Sequence, residues 1–188
     1  MLKKIWEFIA EITKVIVVSF LIILPIRYYI IQPFYVKGAS MEPNFHGNNY
    51  LIVDKISYRF HDIKRGDPVV FHYPANPREY FIKRVVALPG ESVKIKDGDV
   101  YIYNEDYPKG IILNETDYLG DRKTYSIDNQ VITLAPDEYY VLGDNRGSSK
   151  DSRSFGPVGR SFIIGKVFFR GWPVDEIKFF LEEKTYNF

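Results

Sequence analysis

The sequence contains no cysteine, only three histidines and almost no net charge, with 25 basic against 24 acidic residues in 188. The absence of cysteine excludes disulfides, thiolate metal sites and a cysteine nucleophile. His46, His61 and His72 show none of the short spacings of zinc ligands, so we expect no metal and no other cofactor. A net charge of +1 also gives no reason to expect nucleic acid as a partner. Any chemistry must therefore come from hydroxyl, amine or carboxylate groups.

One strongly apolar segment lies near the N-terminus. Residues 15–26 carry no charge and are flanked by Lys14 and Arg27. This run is shorter than the roughly 20 residues that cross a bilayer. Because long basic side chains can snorkel to the two interfaces, the usable span extends to about residues 12–31. We therefore expect one transmembrane helix within residues 1–32.

The charges around this segment predict its orientation. Lys3 and Lys4 precede it, so the positive-inside rule places the N-terminus in the cytoplasm and residues 33–188 outside, although Arg27 weakens the asymmetry. The alternative is a cleaved signal peptide that ends at Ala39. Lys37 stands where the second small residue of a cleavage site belongs, which favours a retained anchor in the cell membrane.

After the anchor, the pattern changes to short β-rich runs separated by turn residues. The Asp97-Gly98 pair predicts a hairpin, and the polar stretch after it predicts an inserted flap. We expect a mainly β fold, with an antiparallel β-domain over residues 33–188 and a β-ribbon flap inserted at about 97–131. The alternation of apolar and charged residues in 174–188 favours a short amphipathic helix.

Three polar stretches interrupt this β-pattern. Ser40 lies in a turn of small residues, Lys83 lies between apolar residues of a predicted strand, and residues 143–153 form a long polar loop. Burial would lower the pKa of the Lys83 amine, as a general base requires. The plainer alternatives are a serine bonded to its own turn, a lysine that snorkels from an edge strand, and a loop that only holds itself together. In the absence of a cysteine or a histidine triad, Ser40 and Lys83 are the nucleophile and base that the sequence offers.

Four segments in order resemble the boxes of bacterial type I signal peptidases. They comprise residues 40–43, 65–71, 83–91 and 143–156. Four boxes with matching order and spacing are a strong signal, whereas any one of them is weak. The single anchor and the short chain are similar to the Gram-positive branch.

The resemblance implies a role for each matched residue. Ser40 would be the nucleophile, its backbone N–H would face the oxyanion, and Lys83 would be the general base. Ser149 would hydrogen-bond the lysine amine. The loop would be organised by Asp144, Arg146, Asp151 and Arg153.

Gly38 is a departure from many Gram-negative relatives, which carry a serine there whose hydroxyl completes the oxyanion hole. We expect Gly38→Ser to add this donor and to raise turnover about tenfold, or ~1.4 kcal/mol of barrier. The opposite result follows if the turn needs a glycine with positive φ.

The resemblance also implies a substrate. The chain would be a membrane-bound endopeptidase that removes signal peptides from secretory preproteins after small residues, with preproteins and membrane lipid as its partners. The family positions that line the pockets for these residues correspond to Phe34, Val36, Met41, Phe45 and Ile82. Two alternatives remain: a self-cleaving Ser-Lys repressor-type protease, and an inactive anchored β-module that binds extended peptides.

Overall fold

A computed structural model describes residues 2–126 and 130–180. Within these ranges the chain forms three α-helices and twelve β-strands. The helices are α1 (Leu2–Pro25), α2 (Thr116–Leu119) and α3 (Ser152–Phe155). The strands are β1 (Ile31–Tyr35), β2 (Tyr50–Asp54), β3 (Pro68–Tyr73), β4 (Asn76–Ala87), β5 (Ser92–Lys96), β6 (Asp99–Tyr103), β7 (Ile111–Ile112), β8 (Val131–Thr133), β9 (Glu138–Leu142), β10 (Val158–Gly159), β11 (Ile163–Trp172) and β12 (Lys178–Phe179).

Helix α1 continues through a π-helical turn, Ile26–Ile30, in which the Ile31 N–H donates to Ile26 O. The combined segment Lys3–Ile30 is long and apolar enough to cross a membrane, and none of its most apolar stretch is buried against the protein. At 1.5 Å per residue, 28 residues reach about 42 Å. The expected apolar helix is thus present, and its surface is compatible with membrane anchoring.

The first sheet carries the candidate site. Its strand order is β1-β2-β11-β3-β4-β9-β10, and β12 pairs with β11. Strand β1 follows the π-helical turn directly and pairs antiparallel with β2, from Ile31 opposite Asp54 to Tyr35 opposite Tyr50. Strand β4 lies deeper in the sheet and pairs with both β3 and β9. The antiparallel β fold predicted from the sequence is confirmed.

The second sheet has the order β7-β6-β5-β8. The hairpin predicted at Asp97-Gly98 joins β5 to β6, and both turn residues have positive φ, 54° and 88°. This geometry matches the right-handed twist of the flanking strands. This four-stranded sheet spans residues 92–133 and includes the flap expected at about 97–131. Its apolar face packs on β4 and β9 through Val86, Ala87, Tyr140 and Leu142.

A separate apolar cluster lies beneath the turn that carries Ser40. Met41 and Phe45 are each 1% exposed and pack with Leu51, Val53 and Val70. Full burial of one such side chain contributes about 1.5–3 kcal/mol. This packing holds the turn against the sheet.

The tail differs from its prediction. Residues Val174–Glu176 form a single 3-10 turn, and the next strand, β12, pairs with Phe169 and Arg170 of β11. The expected helix is therefore wrong for residues 174–180, because alternation of apolar and charged residues also suits a strand. Residues 181–188 of that prediction lie outside the described residues.

Candidate active site

Ser40 lies in the turn that follows β1 and is held there by the polar loop. The backbone N–H of Asn145 donates to Ser40 O at 3.0 Å, and Asn145 Nδ2 donates to Ala39 O at 3.1 Å. Among the described residues, the Ser40 N–H donates to no protein acceptor. This N–H is therefore free to bind an oxygen of a ligand placed at the Ser40 hydroxyl.

Lys83 reaches Ser40 from the middle of β4. Its Nζ lies 2.8 Å from Ser40 Oγ and donates to Ile82 O at 2.8 Å. The side chain is 3% exposed. Burial lowers the pKa of the Lys83 amine to about 8, although the negative charges of Asp151 and Asp144 partly oppose this shift. A neutral fraction of the amine is thus available near neutral pH.

This geometry suits proton transfer. A neutral amine has hydrogens to donate and one lone pair. When one N–H is directed at Ile82 O, the lone pair can accept the Ser40 hydroxyl proton over the observed 2.8 Å. The expected proximity of the two side chains, 43 residues apart in sequence, is therefore present.

Two buried carboxylates in the loop, Asp144 and Asp151, each accept hydrogen bonds from an arginine side chain and from at least one further donor. Asp144 accepts from Arg84 Nε at 2.8 Å and Nη2 at 2.6 Å, and also from Asn44 Nδ2 at 2.9 Å. Asp151 accepts from the Gly143 N–H and from the Arg153 guanidinium. Burial disfavours the charged form of Asp151, but the hydrogen bonds and charge of Arg153 outweigh it and lower the pKa of this carboxyl.

Arg146 links the loop to the segment that joins β7 to β8 of the second sheet. Its Nε donates to Gly143 O at 3.0 Å, and its other nitrogens bind Glu115 and the Thr124 hydroxyl. Arg146 is 4% exposed, so this bidentate ion pair is buried. Neither Glu115 nor Thr124 was predicted, because they lie in an irregular polar stretch with no motif.

Ser149 does not make the hydrogen bond that the resemblance implies. Its buried Oγ makes no hydrogen bond to Lys83, and the hydroxyl instead helps to lower the pKa of the Asp151 carboxyl. The hydroxyl lies against Gly143, where an added Cβ would come within 2.1 Å of it. Lys83 therefore takes Ile82 O and Ser40 Oγ as its partners instead.

Gly143 is required by close packing. A Cβ there would also lie 2.4 Å from Ser40 O. We expect Gly143→Ala to displace Ser40 and to lower kcat/KM about 100-fold, with a loss of about 1–3 kcal/mol in unfolding free energy. Gly147→Ala is the matched control, since a Cβ at Gly147 meets nothing within 4 Å. Peptide cleavage and thermal denaturation of both variants check this, and wild-type turnover of Gly143→Ala would contradict it.

The backbone conformation of Gly38 predicts a loss of turnover in Gly38→Ser, not the gain expected from the sequence. Its φ is +83°, which side chains of L residues rarely adopt, although a Cβ would have open space. Strain of about 1–2 kcal/mol in this turn would move Ser40, so we expect both Gly38→Ser and Gly38→Ala to be slower, by about tenfold. Single-turnover cleavage decides between the two outcomes. A faster serine variant beside a slow alanine variant would restore the missing-donor hypothesis.

A cleft of about 650 Å³ opens beside Ser40 and Lys83. Three of the five predicted pocket residues, Phe34, Val36 and Ile82, line it. Met41 and Phe45 do not, because they are buried in the apolar cluster under the turn. Residues that line the cleft but were not predicted include Leu51, Val70, Glu79, Tyr80, Phe81 and Lys150. They come from β2, β3, β4 and the polar loop, and no linear motif links these segments.

Comparisons with known proteins agree with the four boxes. Residues 9–172 match the family described as "Signal peptidase, peptidase S26". Signal peptidase IB of Staphylococcus aureus (strain MRSA252) is 34% identical over the full length of both chains. Probable signal peptidase I-2 of Synechocystis is 36% identical, over 89% of this chain and 75% of that protein.

A solved structure, a signal peptidase I from Enterococcus faecalis, is 33% identical and matches 56% of this chain and 97% of its own, with a TM-score of 0.45. The full-length relatives support neither the repressor-type protease nor the inactive β-module. The chain belongs to the signal peptidase family, peptidase S26, and is a serine peptidase of the bacterial type I signal peptidase class.

Proposed function

We propose that this chain is a membrane-bound endopeptidase that removes signal peptides from exported preproteins, with Ser40 as nucleophile and Lys83 as general base. The observation that carries the proposal is the 2.8 Å separation of Lys83 Nζ and Ser40 Oγ, with the lysine almost fully buried. Family membership supports the substrate class.

The proposed reaction has two halves. Lys83 takes the Ser40 proton as Oγ attacks the scissile carbonyl, and the Ser40 N–H stabilises the oxyanion. Lys83 then donates the proton to the leaving amine, which breaks the C–N bond and leaves an acyl-enzyme. Water, deprotonated by Lys83, then attacks this ester. The bond between Ser40 Oγ and the acyl carbon breaks as Lys83 returns the proton to Oγ, and the signal peptide leaves with a free carboxylate.

The cleft supports binding of an extended peptide. Its walls include residues 34–40, which run from the end of the edge strand β1 into the turn, and residues 79–83 of β4. Backbone groups of these segments can pair with a substrate strand, as in β-strand addition. Apolar side chains such as Phe34 and Ile82 leave room for small substrate residues beside Ser40 and exclude large ones.

The proposed location follows from α1. The helix would cross the cell membrane once, with Lys3 and Lys4 in the cytoplasm and the β-domain outside. Signal peptides reach that side of the membrane as they are exported. The site would therefore meet its substrate at the membrane surface.

Cleavage is expected to depend on the protonation of Lys83. Only the neutral amine accepts the Ser40 proton, and its pKa is lowered to about 8. The rate should therefore rise about tenfold per pH unit below that value and level off above it. For a lysine exposed to water, whose pKa is about 10.4, the rise in rate would end near that pH instead. We expect this profile in kcat/KM of the full chain in detergent, and a flat profile from about pH 6 to about pH 9 would argue against a lysine base.

The function itself is tested by cleavage of a preprotein with the full chain in lipid vesicles. Mass spectrometry of the products is expected to find one cut, after a small residue at the end of the signal peptide. Replacement of that small residue by tryptophan should abolish the cut, because the cleft excludes a large side chain. Unspecific cleavage along the mature region would overturn the proposed specificity.

A further inference from the structure

Aromatic and basic side chains surround the point where the chain leaves α1. We define the exit rim as Tyr28, Tyr29, Lys55, Arg59 and Phe60. Lys55 Nζ donates to Tyr28 O at 3.0 Å and lies 5.8 Å from the centre of the Tyr28 ring. The Arg59 guanidinium lies 6.0 Å from the centre of the Tyr29 ring. Two distant parts of the sequence thus meet at the end of the helix.

Strand register explains this meeting. Ile31, the first residue after the helical segment, pairs with Asp54, the last residue of β2. The chain that follows Asp54 therefore begins at the end of the sheet nearest the helix. Asp54 fixes its course, since its carboxylate accepts the N–H groups of Ile56 and Ser57.

Phe60 is the most exposed aromatic side chain of the exit rim. It is 75% exposed, and its N–H donates to Ser57 O at 3.0 Å, so the turn holds the ring outward. Tyr28 and Tyr29, in the π-helical turn at the end of the helical segment, are 71% and 51% exposed. An outward aromatic ring next to a membrane helix suits the boundary between headgroups and acyl chains.

The charge of this region is positive. Residues 55–64 contain the cations Lys55, Arg59 and Lys64 but only one acid, Asp62. Basic side chains within reach of a bilayer surface are attracted to anionic phospholipids. Lipid is thus the occupant that matches both the exposed ring and the charge.

We propose that the exit rim is a second membrane contact, in which Phe60 enters the interface and Lys55 and Arg59 bind phosphates of anionic phospholipids. The contact would fix the tilt of the β-domain about the end of α1, and hence the height of the cleft above the membrane. This inference depends on the proposed membrane span of α1.

The lack of cysteine makes the depth of the exit rim directly measurable. Phe60→Cys, Phe20→Cys in α1 and Val131→Cys in the second sheet each give one site for a nitroxide label on the full chain. In vesicles that contain phosphatidylglycerol, labels at 60 and 20 are expected to collide with lipid-soluble oxygen more than with a water-soluble nickel complex. The label at 131, an exposed position, is expected to show the reverse.

The three labels separate the possible failures. If the label at 60 behaves like that at 131 while the label at 20 lies in lipid, the exit rim does not contact the membrane and this inference is overturned. If the label at 20 is also in water, the membrane span itself fails, and both proposals fall.

Lipid charge gives the second test. We expect the label at 60 to lie deeper in vesicles with about 30% phosphatidylglycerol than in phosphatidylcholine alone. The double variant Lys55→Gln with Arg59→Gln should remove this difference. It should also lower the equilibrium constant for binding of the exit rim to the anionic membrane about 30-fold. Lys94→Gln with Lys109→Gln, in the region of the second sheet, is the matched control and should keep it. If the label at 60 lies at the same depth in both kinds of vesicle, the proposed binding of anionic headgroups is overturned.

Discussion

Ser40→Ala is expected to abolish signal-peptide cleavage while the protein still folds. Loss of the nucleophile in a serine peptidase costs about 10⁶-fold in turnover. The stability cost should stay near 0.5–1.5 kcal/mol, roughly the worth of one hydrogen bond, because the turn is held through the backbone of Ser40 and Ala39. Preprotein cleavage and thermal denaturation of the same preparation check both parts.

The matched control for this substitution is Ser161→Ala. Ser161 is an exposed serine in the turn before β11 and does not line the cleft. It should cleave at the wild-type rate. Turnover of Ser40→Ala within tenfold of wild type would show that another group attacks the substrate.

Lys83→Arg is expected to be as inactive as Lys83→Met, with losses of about 10⁴-fold or more in kcat. Arginine keeps the positive charge but cannot release its proton at accessible pH, so it cannot accept the Ser40 proton. Methionine fills similar space without a charge. Single-turnover cleavage by both variants measures the chemical step directly.

Folding must be separated from chemistry in this pair. A guanidinium at position 83 would be buried, which is costly without a carboxylate partner, whereas Lys83→Met removes a buried polar group and should unfold at or above the wild-type temperature. An inactive but stable methionine variant therefore supports the role of the amine. An active arginine variant would mean that position 83 serves only through its charge.

The sequence alone predicted those features that depend on residues close together in the chain. The run of uncharged residues before Arg27 predicted the apolar helix, and Asp97-Gly98 predicted a hairpin because only a few residue types accept positive φ in succession. The four ordered boxes predicted the family, which the comparisons confirm. Lys83 was singled out because a lysine between apolar strand residues is forced toward burial, and it is buried.

The tertiary structure decided everything that depends on long-range pairing. Met41 and Phe45 are apolar residues next to Ser40, but the fold turns them into the core instead of the cleft. Glu115 reaches Arg146 only because the segment between β7 and β8 returns to the loop. The φ of Gly38 and the packing around Gly143 are backbone properties that residue type does not reveal. Likewise, the meeting of Ser40 with Lys83 depends on which strands pair, since a shift of one residue would turn the amine to the opposite face of the sheet.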